Sequence, residues 1–247
     1  MPLRPYQLRG LTECMLAIDE GCRQVCVTSP TGGGKTLMML TQIKEALDRH
    51  WPVVLYTDRR LLLEQTEKRM REQAIDFGVR ASGWQSALLK DVQISMVQTE
   101  VARRKQPRWS PHPAKLVLVD EAHRQRSGEA IKLLQSHVDA GASVIGYTAT
   151  PVDLGHFYTR LVIAGTNSEL RDCGALVWCD TYAPSEIDLK DVYRKKSGEF
   201  STGALRKVIM VQHVAGSVLE HFDKLNKERL PSIGFGPCVK SCRWFVD

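Results

Sequence analysis

The 247-residue chain predicts an α/β fold, a parallel sheet with helices on both faces. Short apolar, β-branched runs alternate with longer stretches whose apolar residues recur at helical spacing. Strands joined by crossover helices in this way form a parallel sheet that is covered on both sides. Strings of polar, chemistry-bearing residues directly follow the runs, and a parallel sheet presents its ligand at the carboxyl ends of its strands.

The elements follow in order. Pro5 with Leu8, Leu11, Met15 and Ile18 reads as a helix with one apolar face, and Gly21 supplies its stop. Val25–Ser29 is a strand, Lys35–His50 a helix with Leu40, Ile43 and Leu47 on one face, and Pro52 lies just beyond it. Val53–Thr57 is the next strand and Leu61–Gln73 the next helix. Val92–Val97, Leu116–Val119 and Val144–Thr148 are apolar runs too short for helices. Between the last two, Ile131, Leu134 and Val138 mark Glu129–Val138 as a helix, closed by Gly141. After Pro151 the chain turns more polar, with strand patterns at Leu161–Ala164 and Ala175–Cys179 and a helix over Val211–Asn226. Pro231 then precedes the apolar run Ile233–Phe235.

Composition narrows the class. Hydrophobic residues are 43% of the chain and charged residues 25%, ordinary for a globular protein and against disorder. The length allows one large domain or two small ones. Met1–Gln7 contains no apolar signal region, and no apolar run approaches the roughly 18 residues a bilayer span requires. A soluble, cytoplasmic protein without membrane partners is expected. Seven scattered cysteines are an odd number and argue against a disulfide framework. Cys22/Cys26 and Cys238/Cys242 could supply four thiolates, but Cys26 lies in the apolar run Val25–Val27 and reads better as a small buried hydrophobe. The net charge of +6 permits a nucleic-acid partner without requiring one.

Ser29-Pro30-Thr31-Gly32-Gly33-Gly34-Lys35-Thr36 lies between a strand and a helix, the setting of a phosphate-binding loop. Three glycines let successive N–H groups turn inward around an oxyanion, and the following helix adds its positive end. Lys35 would reach the β- and γ-phosphates and the Thr36 hydroxyl would ligate Mg²⁺. Ser29 stands where the strict pattern has glycine. At the end of Leu116–Val119, Asp120 suits a ligand of Mg²⁺ partly through water, and Glu121 suits the base that activates water. Thr148 and Thr150 also leave a strand end, where hydroxyls can sense the acidic pair; Gln7 can offer a donor and an acceptor to an adenine edge. Basic clusters occur at Arg59-Arg60 and at Arg103-Arg104-Lys105 with Arg108, and the first follows a strand end, where it can meet a phosphate backbone.

As an ordered set these strings resemble the first motor domain of superfamily 2 helicases and translocases, closest to the DEAH-containing group with restriction-enzyme motor subunits and DNA-repair helicases. Arg4-Pro5-Tyr6-Gln7 is similar to the adenine-reading motif, Ser29–Thr36 to motif I, and Thr57-Asp58-Arg59-Arg60 through Gln65 to motif Ia. Val97-Gln98-Thr99 resembles the next strand-contacting motif, Asp120–His123 motif II and Thr148–Thr150 motif III. Ser168–Leu176 resembles the family's linker, and Ser232–Asp247 the opening of a second motor domain.

The resemblance implies a RecA-like P-loop NTPase domain over residues 1–151, a linker or extension over 152–228 and a truncated start of a second RecA-like domain over 229–247. It implies ATP and Mg²⁺ as cofactors and a nucleic-acid partner, DNA rather than RNA. Catalysis would fall to Glu121, Lys35 and Asp120. Arg4, Gln7, Ser29, Pro30, Thr31, Gly32, Gly33, Gly34, Lys35, Thr36, Asp120 and His123 would hold the nucleotide, with Thr36 and Asp120 on the metal. Arg59, Arg60, Gln98 and Thr99 would meet nucleic acid, while His123, Thr148 and Thr150 would couple the two sites. In this family the second domain supplies arginines to the γ-phosphate, so a non-catalytic nucleotide- and nucleic-acid-binding module, completed by a second motor domain in trans, stays open beside the ATPase. A motor fragment of a restriction system is the third reading, although no PD-x-E-x-K-like nuclease constellation accompanies it. The apolar tail over 229–247 is expected to be a docked fragment or an aggregation-prone flap.

Overall fold

The computed structural model describes residues 2–85, 87–107, 110–180, 192–193, 200–209, 212–236 and 238–244. Arg108 of the second basic cluster, Val211 and Phe245 lie outside them. Two compact units are present, Met1–Trp178 and Cys179–Asp247.

The first unit is built on seven strands: β1 (Gln24–Thr28), β2 (Val53–Thr57), β3 (Gly78–Arg80), β4 (Val92–Met96), β5 (Leu116–Val119), β6 (Ser143–Thr148) and β7 (Arg160–Ile163). Their order across the sheet is β3-β4-β2-β5-β6-β1-β7, and every pairing is parallel. The helices are α1 (Pro5–Asp19), α2 (Lys35–Asp48), α3 (Arg60–Glu72), α4 (Val97–Arg103), α5 (Gly128–Asp139) and α6 (Asn167–Asp172).

Side chains alternate across each strand. Val53, Leu55, Leu116, Leu118, Ile145 and Tyr147 point into one apolar layer with Leu11 and Cys14 of α1, Met38, Met39 and Ile43 of α2, and Leu63 and Met70 of α3. Val54, Tyr56, Val117, Val119 and Val144 enter the other with Val97 of α4, Ala130, Leu133 and Leu134 of α5, and Phe157 and Tyr158. Burial on both faces explains the nearly unbroken apolar runs. Three polar pairs are matched inside: Tyr147 donates to Gln42 Oε1 at 2.6 Å, Tyr56 OH meets His137 Nε2 at 2.9 Å, and Arg80 forms two bonds with the Glu100 carboxylate at 3.1 and 3.2 Å.

The boundary expected at residue 151 falls inside this unit. β7 pairs with β1, and a β-carbon on Gly10 of α1 would sit 2.3 Å from Ala164 Cβ, so helix and edge strand are in close contact. Leu161 and Ile163 of that edge are half exposed, which is why its pattern is weak in the sequence. Ala175–Cys179, expected as a strand, lies in turns and irregular chain after α6. In the second unit the described elements are three helices, α7 (Thr202–Ile209), α8 (Gln212–Leu225) and α9 (Val239–Trp244). The described run Ile233–Phe235 is not a strand, and both residues are largely exposed.

Candidate functional site

Register brings the motifs together. Thr28 pairs with Thr148, Tyr56 with Val119, Thr57 with Met96 and Val119 with Gly146, so five strands end at one edge. Ser29, Asp58, Val97, Asp120 and Ala149 are the first residues past those ends. The backbone ladder continues one step into the loops, with Ser29 N–H on Thr148 O at 3.1 Å and Asp120 N–H on Tyr56 O at 2.9 Å.

The loop Ser29–Gly34 curls because Gly32 and Gly34 take left-handed φ values of 84° and 79°, which side-chain-bearing residues rarely adopt. A β-carbon on Gly33 would lie 2.2 Å from Ser29 Oγ, so the backbone closes around space that only glycine leaves. Ser29 Oγ is buried and has no hydrogen-bond partner among the described residues. Lys35 heads α2, its Nζ donating to Ser29 O at 3.2 Å and Pro30 O at 3.3 Å. Burial lowers its pKa, opposed by the charges of Glu121 and Asp120.

Asp120 is 9% exposed. Burial, reinforced by Glu121, raises its carboxyl pKa to about 6, while the Glu121 N–H at 3.0 Å and Lys35 pull the other way. A cation in front of it would relieve that desolvation. Glu121 sits in the left-handed region at φ 50°, a conformation that costs a non-glycine residue about 1–3 kcal/mol and concentrates at working sites. Its carbonyl is held by Arg124 N–H at 2.8 Å. Arg4, Gln7, Gly32, Gly34, Lys35, Thr36, Asp120 and Glu121 line one cavity of about 1010 Å³, together with Leu62 and Arg69 of α3 and Gln73 just past its end. An orphaned buried hydroxyl, a glycine cradle and a desolvated carboxylate fit a magnesium-bound triphosphate, with Thr36 and Asp120 as metal-side groups.

Other expected residues are placed differently. Gln7 is 3% exposed; its Nε2 donates to Gly33 O at 3.0 Å and its Oε1 accepts from Arg4 N–H at 2.9 Å. With Tyr6 OH on the same Gly33 carbonyl at 3.1 Å, Gln7 clamps α1 to the glycine loop. Arg4 reaches Cys173, donating to its carbonyl at 3.0 Å. Pro30 and Thr31 belong to the loop without lining the cavity, and His123 also lies off it. His123 Nδ1 meets Thr148 Oγ1 at 2.8 Å, and that oxygen accepts from Thr150 N–H at 3.0 Å, so motif II touches the β6 loop.

Arg59 and Arg60 are exposed at the same edge, Arg60 stacked over Trp84 at 4.5 Å. Gln98 is exposed and ties its Nε2 to Asp58 O at 3.1 Å, while Thr99 is half-buried in the first turn of α4. Sequence reading missed Arg69 and Gln73, which only the packing of α3 beside α2 brings to the cavity. It also missed Asp58 as a contact in its own right, although the residue stands inside the motif Thr57–Arg60. Among the described residues no cluster of three or more His, Cys, Asp or Glu side chains could hold a metal, and no helix is long and apolar enough to cross a membrane.

Fold and loop together define an all-parallel RecA-like domain with a P-loop-type turn after its first strand. Residues 1–153 match the family described as ResIII, the Type III restriction enzyme res subunit, and the chain belongs to that family. It is 32% identical over 165 residues to a protein of Schizosaccharomyces pombe named as the mitochondrial ATP-dependent helicase irc3, covering 61% of this chain and 26% of the relative. The chain therefore spans about a quarter of that relative's length. Its fold is similar to the UvsW helicase of bacteriophage T4, with TM-score 0.53, 14% identity, and coverage of 66% of this chain and 60% of the other. It is also similar to the Type ISP restriction-modification enzyme LlaGI in complex with a DNA substrate mimic, with TM-score 0.53, 14% identity, and coverage of 91% and 24%.

Proposed function

We propose that this chain carries the ATP-binding lobe of a DNA helicase or translocase, in which Mg²⁺-dependent hydrolysis is coupled to DNA binding. The observation that carries the reading is the shared cavity, with Lys35 and Thr36 facing Asp120 and Glu121 across it. In this reading the loop N–H groups and Lys35 bind the β- and γ-phosphates. Thr36 and Asp120 hold Mg²⁺, which when bound would neutralise phosphate charge. Glu121 orients a water and accepts its proton. DNA lies across Arg59, Arg60, Gln98 and Thr99, supported by their common edge and by the DNA-bound state in which LlaGI is described. His123, Thr148 and Thr150 report the state of the acidic loop to the neighbouring strand end. Residues 229–247 open a second motor domain, and the protein works in solution inside the cell.

Fluorescent-nucleotide titration tests the site. Lys35→Ala loses a charge-assisted phosphate contact, so affinity should fall about tenfold or more; an unchanged affinity overturns the assignment. Steady-state turnover with duplex DNA tests the chemistry. DNA-stimulated turnover that vanishes in Glu121→Gln, with nucleotide affinity retained, supports the hydrolase. Nucleotide binding without turnover makes this lobe a binding half.

A further inference from the structure

Segments following three strands of the sheet edge meet at Asp58, a residue to which no role of its own has been assigned. β2 and β5 are neighbours, and Arg124, just past the acidic loop of β5, donates its Nε to Asp58 Oδ2 in the loop after β2. The Asp58 side chain is only 8% exposed. Its second oxygen, Oδ1, is buried and accepts no hydrogen bond among the described residues. A buried carboxylate with one oxygen unsatisfied depends heavily on the cation that does reach it. From the β4 side, Gln98 Nε2 fastens the Asp58 carbonyl.

Arg124 is rigidly joined to the acidic pair. Its N–H caps Glu121 O, and Gln125 N–H reaches Ala122 O at 3.0 Å, closing the 3₁₀ turn Ala122–Arg124. Asp58 is covalently joined to Arg59 and Arg60 on the other side. The pair thus spans two loops 66 residues apart in sequence, one assigned to nucleic acid and one to nucleotide chemistry.

We propose that the Asp58–Arg124 ion pair is a positioning strut through which nucleic acid at Arg59 and Arg60 sets the geometry of Glu121. This rests on the reading of the two loops given above. A phosphate backbone that fixes the β2 loop favours the closed pair, and the closed pair holds the 3₁₀ turn that keeps Glu121 in its left-handed conformation. Because coupling between two binding sites is reciprocal, nucleotide must tighten nucleic-acid binding by the same factor.

Linkage can be measured without turnover. Affinity for fluorescent MgATPγS is read with and without saturating short duplex DNA, and the ratio is the coupling factor. Couplings between sites typically amount to about 5- to 150-fold, and the same range is expected here. Arg124→Gln should bring the ratio to unity with nucleotide affinity alone unchanged. It should also lower the thermal midpoint, because it removes the cation at the buried Asp58 carboxylate. Arg124→Lys should restore part of the ratio. Asp58→Asn should abolish the ratio as well, and Asp58→Asn with Arg124→Gln should lose nothing further, the non-additivity of one shared contact. A wild-type ratio retained by Arg124→Gln overturns the strut, as does wild-type binding of both ligands with no coupling. Failure of a different kind, no nucleotide binding beyond that of Lys35→Ala, sinks the functional reading itself and with it the strut.

Discussion

The two helical layers are built to different ends. On the α1–α2–α3 side the apolar packing stops short of the carboxyl edge, and the cavity lined by Gln7, Lys35 and Arg69 opens there. The α4–α5 side holds polar pairs that do not line this cavity: Tyr56 with His137, and Arg80 with Glu100. In the open layer Tyr147 and Gln42 join β6 to α2 while Gln7 shapes the Gly33 loop, whereas the named polar pairs of the other layer only join elements. The two should therefore be separable, with damage to the α4–α5 layer appearing in stability and damage to the open one in binding.

The largest effect should come from Arg80→Met. Glu100 is fully buried and its carboxylate takes two bonds from Arg80, so removing the guanidinium takes both away from a buried charge. Breaking one side of such a pair typically costs about 3–5 kcal/mol, and the low end is expected because Arg103 Nη1 lies 3.6 Å from the same carboxylate. Denaturant unfolding reads the loss; nucleotide affinity measured where the variant is folded should match wild type. If affinity falls in step with stability, the two layers are not independent.

That ion pair also shows where sequence reading ends. β3 is three residues long, too short to show a period of two, and α4 begins at Val97 with no loop between it and β4. Neither element was legible, so their contact was not. β1, β2, β5 and β6 were legible because each is apolar on both faces, and the helices between them because one stripe is. The candidate site could be proposed from sequence wherever chemistry dictates residue type locally, as at Gly32–Thr36 and Asp120–Glu121. Asp58 and Arg124 were not, since an ion pair across 66 residues leaves no local pattern. Gln7 was expected at the site from its motif, but its clamp on Gly33 depends on how α1 docks.

Acid should sharpen the contrast. Burial lowers the His137 pKa from its ordinary 6.5 to about 4. Above pH 6.5 the ring is neutral in both folded and unfolded chains. As pH falls from 6.5 towards 4, the unfolded chain takes up a proton that the folded one refuses, so stability drops by about 1.4 kcal/mol per pH unit at most and levels off below 4. Subtracting the profile of His137→Gln from that of wild type isolates the contribution. A difference that is flat across this window would mean that His137 is already charged in the fold.

The smallest effect should come from a place where the α4–α5 layer touches the acidic loop. On the α5 side of β6, a β-carbon at Gly146 would lie 2.4 Å from the Tyr158 ring and 2.8 Å from Ala122 Cβ. Tyr158 belongs to the core on this side, whereas Ala122 follows Glu121 directly in motif II. Gly146→Ala should cost about 1 kcal/mol if the ring gives way, the lower end for inserting one methyl group into a packed core. The informative quantity is nucleotide affinity. Should the strain be relieved by Tyr158, binding stays at the wild-type value and the separation of layers holds. Should Ala122 move instead, the backbone carrying Asp120 and Glu121 moves with it, and weakened MgATPγS binding at nearly unchanged stability would identify Gly146 as a point where the α4–α5 layer reaches the acidic loop.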